Sequence, residues 1–212
     1  QVKIDLDAVS SLPVTVTLGK TGTATDTADY TLNGTIVIPA GSLVTTVTLS
    51  AVADALDENN ETVIIDVFAV TNGTELNVQQ QTVTITDNDS IPNVTLVASK
   101  PNMAETGGAV TITAKLDAAA GRDVTVTLTR NGTAKNNIDY TISGMTILIA
   151  EGSLSNFVTL AAIGDVLFEV NETITLDINT VINAAEKDGF QQQIVTIQDD
   201  DVRPTVTLAV TS

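Results

Sequence analysis

The carboxylates of this chain gather in loops and recur at matching positions. In the first half they are Asp29, Asp54, Glu58, Glu61, Asp87 and Asp89, with Asp57 as an extra acid. In the second half they are Glu105, Asp139, Asp165, Glu169, Glu172 and the run Asp199-Asp200-Asp201, where the first half has Asn88 in the place of Asp200. Such groups are hard oxygen donors. Calcium takes six to eight oxygens, readily drawn from the carboxylates and carbonyls of several loops. Without a cation, so many like charges in a small volume repel one another. The competing reading is a set of solvated loop acids that keep the protein soluble. Nothing matches the contiguous Asp-x-Asp-x-Asp-Gly loop of an EF-hand, so a site here must be assembled from distant segments. The chain has no His and no Cys, which excludes disulfides, thiolate chemistry and Cys/His zinc sites.

The bulk numbers agree with a cation binder. Asp and Glu number 26 against 9 Lys and Arg, a net charge of −17. Nucleic acid and anionic membranes both require a basic face and are excluded as partners. Only 3% of the residues are aromatic while 43% are hydrophobic, so the core must be built from Val, Ile, Leu and Ala. β-Branched residues favour strands, and the abundant Thr suits their solvent faces. No apolar run approaches the roughly 20 residues needed to cross a bilayer as a helix; any export signal would lie outside this segment. The expected location is extracellular or at a cell surface.

The elements that must carry these acids are revealed by repetition. Thr21-Gly22-Thr23-Ala24 followed by Asp29-Tyr30-Thr31 returns as Asn131-Gly132-Thr133-Ala134 followed by Asp139-Tyr140-Thr141. Asn60-Glu61-Thr62 returns as Asn171-Glu172-Thr173, and Val83 to Asp89 as Val195 to Asp201. The offset drifts from 110 to 112 residues, as loop insertions would make it. Alternating apolar and polar runs fill each unit: Val14 to Leu18, Val44 to Leu49, Thr62 to Phe68 and Thr82 to Thr86, then Val124 to Thr129, Val158 to Ile163, Thr173 to Ile178 and Ile194 to Gln198. Turn signals such as Asn33-Gly34, Asn72-Gly73 and Glu151-Gly152 separate them. About seven strands per unit predict tandem all-β, immunoglobulin-like antiparallel sandwiches. Val2-Lys3-Ile4 aligns with Ile112-Thr113-Ala114, while Pro92-Asn93-Val94-Thr95-Leu96 returns as Pro204-Thr205-Val206-Thr207-Leu208. The expected organisation is therefore a sandwich over 1–90 lacking its first strand, a complete one over 91–202, and at 203–212 the first strand of a following repeat or a donor strand.

Taken in order, Gly-Thr-Ala, Asp-Tyr, a Gly turn, Asp-x-x-x-Glu-x-x-Glu and Val-Thr-Ile-x-Asp-Asp-Asp resemble the Calx-beta motif, twice over nearly the whole chain. The resemblance implies a seven-stranded sandwich that binds calcium in its distal loops. Carried over by position, it implies ligands at Glu105, Asp139, Asp165, Glu169, Glu172, Asp199, Asp200 and Asp201 in the second unit. In the first it implies Asp29, Asp54, Glu58, Glu61, Asp87 and Asp89. The first unit departs from the pattern in lacking the first-strand Glu and in carrying Asn88.

Asn-x-Thr sequons occur at Asn33, Asn60, Asn72, Asn93, Asn131 and Asn171, but Asn60 and Asn171 lie inside the acidic loops. Tyr30 and Tyr140 hold one repeat position and suit core packing with a bonded hydroxyl. The favoured function is a calcium-binding structural module of an adhesin or matrix repeat protein, its partners being neighbouring repeats or other copies of itself. Two alternatives are a filament subunit joined by donor strands and a regulatory calcium sensor. An enzyme is the least favoured class. Glu169 and Glu172 are a conceivable acid pair, yet there are almost no aromatics to stack a sugar.

Overall fold

A computed structural model describes residues 1–188 and 191–210; residues 189–190 and 211–212, the last two of the expected terminal strand, lie outside the described residues. The chain divides into two compact units, Gln1–Asn88 and Asp89–Ser212. Both are all-β.

The first unit contains β1 (Val2–Asp5), β2 (Val14–Gly22), β3 (Tyr30–Leu32), β4 (Thr35–Ile38), β5 (Val44–Val47), β6 (Leu49–Ala51), β7 (Glu61–Thr71) and β8 (Gln80–Ile85). One sheet has the order β4-β2-β7-β8, and β1 pairs with β5 and β3 with β6. Period two sets the faces. Val14, Val16 and Leu18 of β2 point inward with Val63 and Ile65 of β7, while Thr15 and Thr17 are half-buried.

The second unit contains β9 (Asn93–Ala98), β10 (Asn102–Ala104), β11 (Ala109–Leu116), β12 (Val124–Gly132), β13 (Tyr140–Ile142), β14 (Thr146–Ile149), β15 (Ser155–Ala162), β16 (Glu172–Ile182), β17 (Ala185–Glu186) and β18 (Gln193–Gln198). Its sheets are β10-β18-β16-β12-β14 and β13-β15-β11-β9-β17. Tyr140 is buried in this core and Tyr30 in that of the first unit. Two pairings depart from the purely antiparallel expectation: β10 with β18 and β17 with β9 are parallel. The chain leaves β9, passes Lys100 and Pro101, and continues as β10 in the opposite sheet, so one covalent stretch contributes to both layers.

Register identifies the equivalent strands. β1 meets β5 with Val2 opposite Val47, as β11 meets β15 with Ile112 opposite Val158. β11 has β9 on its other side, whereas β1 pairs only with β5 among the described residues. The core reflects this. Val195 of β18, which has β10 as its neighbour in the sheet, is 1% exposed, while Val83 at the same repeat position is 38% exposed. Residues 202–210 pair with no strand, and Val206, Leu208 and Val210 are 97%, 97% and 95% exposed.

Candidate metal centre

The acidic loops are positioned by a short set of contacts that repeats in both units. Gly132 has φ 120°, and a Cβ there would lie 2.1 Å from the Thr173 carbonyl oxygen; Gly22 has φ 122° and meets the Thr62 carbonyl in the same way. Only glycine permits this approach. The next residue completes the clamp: the Thr173 N–H donates to Thr133 Oγ1 at 2.9 Å, and the Thr62 N–H donates to Thr23 Oγ1 at 2.9 Å. The Gly-Thr-Ala motif thus fixes the start of β16 and β7, the strands that open with Glu172 and Glu61. Asp139 accepts the Lys135 N–H on Oδ2, and Asp29 accepts that of Thr25, so each caps its own loop.

In the second unit these devices bring three acidic triplets together, with ligand oxygens within 4.8 Å of one another in each: Glu105–Asp165–Glu169, Glu105–Asp200–Asp201 and Asp139–Glu169–Glu172. Glu105, which follows β10, belongs to two of them and is 5% exposed. Its Oε1 accepts the Asp165 N–H at 3.2 Å. Asp165 Oδ1 accepts the Leu167 N–H at 2.6 Å, and Asp200 Oδ1 accepts the Thr106 hydroxyl at 3.1 Å. Gly164 packs on Thr106 so closely that a Cβ would sit 3.0 Å from its Oγ1. Asp199 joins no triplet, but lines a recess with Glu105, Asp139, Glu169 and Glu172. That recess has about 10 Å³ of room, about enough for a single small sphere.

In the first unit, Asp29, Glu58 and Glu61 converge as the counterpart of Asp139–Glu169–Glu172. Asp54, Asp87 and Asp89 are not gathered into a triplet among the described residues. The physical reason lies in the missing hub. Glu105 links Asp165 to Asp200 and Asp201 in the second unit, and among the described residues none holds its place in the first.

Electrostatics mark the same groups. Burial, followed by the charges of Asp165, Asp201 and Asp199, raises the Glu105 pKa against the opposing hydrogen bond from Asp165. Burial again leads at Glu172, then a hydrogen bond and charge repulsion from Asp139, then the Glu169 charge. Glu61 is raised by burial, Asp29 and Glu58, and Asp201 by desolvation and the charges of Asp199, Asp200 and Asp165. One oxygen, Asp201 Oδ2, is buried with no hydrogen-bond partner. A buried acceptor left unsatisfied is costly, and within an all-oxygen donor set a hard cation satisfies it. The residues fit calcium.

The two halves of the chain match the family model of the Calx-beta domain, over residues 2–89 and 87–201. The chain belongs to the Calx-beta family. No curated protein matches it. Among solved structures, CBD12 from CALX1.2 is 17% identical over 92% of this chain and 91% of its own, with a TM-score of 0.41. The calcium binding domain CBD12 of CALX1.1 is 19% identical over 88% and 75%, with a TM-score of 0.38. The assignment of this Calx-beta chain rests on the two matched segments. No enzyme family is indicated.

Several site residues were hidden in the sequence by more familiar patterns. Asn171 and Asn60 read as sequons, yet Asn171 Oδ1 accepts the Asp199 N–H at 3.2 Å and Asn60 Oδ1 accepts the Asp87 N–H at 2.9 Å. Each ties one acidic loop to another. Their recurrence immediately before Glu172 and Glu61 was the available signal. Thr106 and Gly164 have no counterpart signal in the repeat.

Proposed function

We propose that this chain is a calcium-binding structural module of an extracellular repeat protein, in which calcium stiffens the ends of the units. The observation that carries the reading is Glu105: a buried carboxylate shared by two acidic triplets, beside the unpartnered Asp201 Oδ2. In such a cluster a divalent cation converts repulsion into attraction. Glu105, Asp165, Glu169, Asp200 and Asp201 would hold one part of the site, and Asp139, Glu169 and Glu172 the other. Asp201 immediately precedes Val202-Arg203-Pro204, the segment through which the chain leaves the unit. A cation there restrains the last residues before that exit, which suits a spacer in an adhesin or matrix protein. The recess is of a size that suits an ion.

The test is thermal melting and small-angle scattering of the whole chain in calcium and in EDTA. Calcium is expected to raise the melting temperature and narrow the distribution of end-to-end dimensions. Superimposable melting and scattering curves in the two buffers reject the reading.

A further inference from the structure

We propose that the acidic loops of the second unit, when they hold calcium, are a docking surface for an anionic lipid membrane. Val166, Phe168 and Val170 enter the acyl boundary while the bound cation engages the headgroups. The inference rests on the calcium reading above and gives that site a partner.

The chain contains its own comparison. The acid-bearing segments align without a gap, Asp54 to Glu61 with Asp165 to Glu172 and Thr25 to Asp29 with Lys135 to Asp139. The candidate ligands match, and the residues beside them do not. Where the first unit has Ala28, Ala55, Asp57 and Asn59, the second has Ile138, Val166, Phe168 and Val170. These four are 62%, 85%, 43% and 78% exposed, whereas Asp57 is buried. Metal ligation does not ask for them, because none carries a carboxylate, and neither does packing, because all four lie outside the core of the unit. Large apolar side chains exposed together mark a contact surface. The first unit is followed directly by another unit and carries none of them, so a neighbouring repeat does not call for them either.

Charge separates the two units in the same way. Lys135 and Arg203 stand where the first unit has Thr25 and Ile91. Lys135 opens the loop that Asp139 caps, and the Arg203 guanidinium lies 5.7 Å from the centre of the Phe168 ring, a distance at which cation and ring attract. The net charge of −17 opposes an anionic surface for the chain as a whole, and without metal Asp165, Glu169 and Glu172 add to that repulsion. Calcium reverses the local sign. It takes six to eight oxygens, so an ion held by Asp139, Glu169 and Glu172 has places left for the phosphate or carboxylate oxygens of lipid headgroups. Within Phe168-Glu169-Val170 a candidate ligand sits between two exposed apolar residues. One segment thus offers an ion to the headgroup layer and apolar side chains to the layer beneath it. A protein partner demands a closely complementary surface, whereas a fluid bilayer accepts apolar tips set among charges.

The chain has no Trp, so Val166→Trp places a single reporter at the tip. With vesicles of phosphatidylserine and phosphatidylcholine in calcium, its emission is expected to move to the blue and to be quenched by brominated acyl chains. In EDTA, or with phosphatidylcholine alone, neither change is expected. The unaltered chain is expected to bind the mixed vesicles about tenfold or more tightly in calcium than in EDTA, read by co-sedimentation. Giving the tip the first unit's residues, Val166→Ala with Val170→Asn, changes side chains that are mostly in water in the free protein. Calcium binding by calorimetry is expected to be kept, and vesicle affinity to fall by about tenfold or more. The inference is overturned if the chain binds calcium but not the vesicles, or if the double variant binds them as well as the parent does. It is also overturned if calcium instead drives lipid-free self-association that the double variant abolishes, which assigns the rim to a second copy. Calorimetry that detects no calcium overturns the reading of the site along with this one, and is thereby distinguished from a site that loads but does not dock.

Discussion

Replacing Glu105 by Gln is expected to stabilise the metal-free protein and to remove most of the stabilisation that calcium provides. In the metal-free state Glu105 is buried beside the four other acids of its two triplets, and its raised pKa records the cost of ionising it there. Gln keeps the shape and an oxygen to accept the Asp165 N–H, so little packing is lost. With calcium the sign reverses, because both triplets containing Glu105 lose a charged ligand. A ligand present at 100 times its Kd adds about 2.7 kcal/mol to the folded state. Loss of even a supporting contact weakens a metal site by about 10–100-fold. At about 100-fold weaker binding, the same calcium concentration adds only ~0.4 kcal/mol. The difference of ~2.3 kcal/mol corresponds to roughly 10 °C in Tm for a domain of this size. The assay is calorimetric melting of both proteins in EDTA and at a calcium level set by titration of the unaltered chain. A Gln variant that gains as much as the parent from calcium, or that melts lower in EDTA, refutes the argument.

Stability should depend on pH in opposite directions with and without calcium. Glu61, Glu105, Glu172 and Asp201 all have folded-state pKa values above their ordinary ones. Their stabilising contribution is therefore full below the ordinary carboxylate range, near pH 4, and lost as pH rises through the raised values. Melting of the metal-free protein between pH 4 and 7 should show this fall. In saturating calcium, where ligands must be deprotonated, the trend should invert. Gly132→Ala places a side chain 2.1 Å from the Thr173 carbonyl at a positive φ; a loss of about 1–3 kcal/mol is expected. Calcium affinity should fall with it because β16 opens with Glu172, and denaturant melts with calcium titration check both.

The repeat, the strand runs and the convergence of the second unit's acids were all legible from residue order. Alternation at Val14, Val16 and Leu18 reports a half-buried strand directly, because the pleat has period two. The parallel pairings of β10 and β17 were not legible. These elements are three and two residues long, too short to show any period. The role of Asn171 was masked because its sequon pattern is local, while its partner Asp199 lies 28 residues away. The weaker gathering of acids in the first unit goes with two departures from the second: Asn88 in the place of Asp200, and no counterpart of Glu105 among the described residues. A positional match counts Asp54, Asp87 and Asp89 equally with their counterparts, but convergence depends on the Glu105 bridge between loops.

The parallel pairing of β10 with β18 has a mechanical consequence. Glu105 follows one strand and Asp200 follows the other, so both ligands emerge at the same end of neighbouring strands. A cation held between them joins the beginning of the second unit to its end. Tension applied along the polypeptide then bears on oxygen–metal contacts before it reaches the sheets. Should the site hold calcium as proposed, load on the chain would meet the ion before the hydrogen bonds of the sheet.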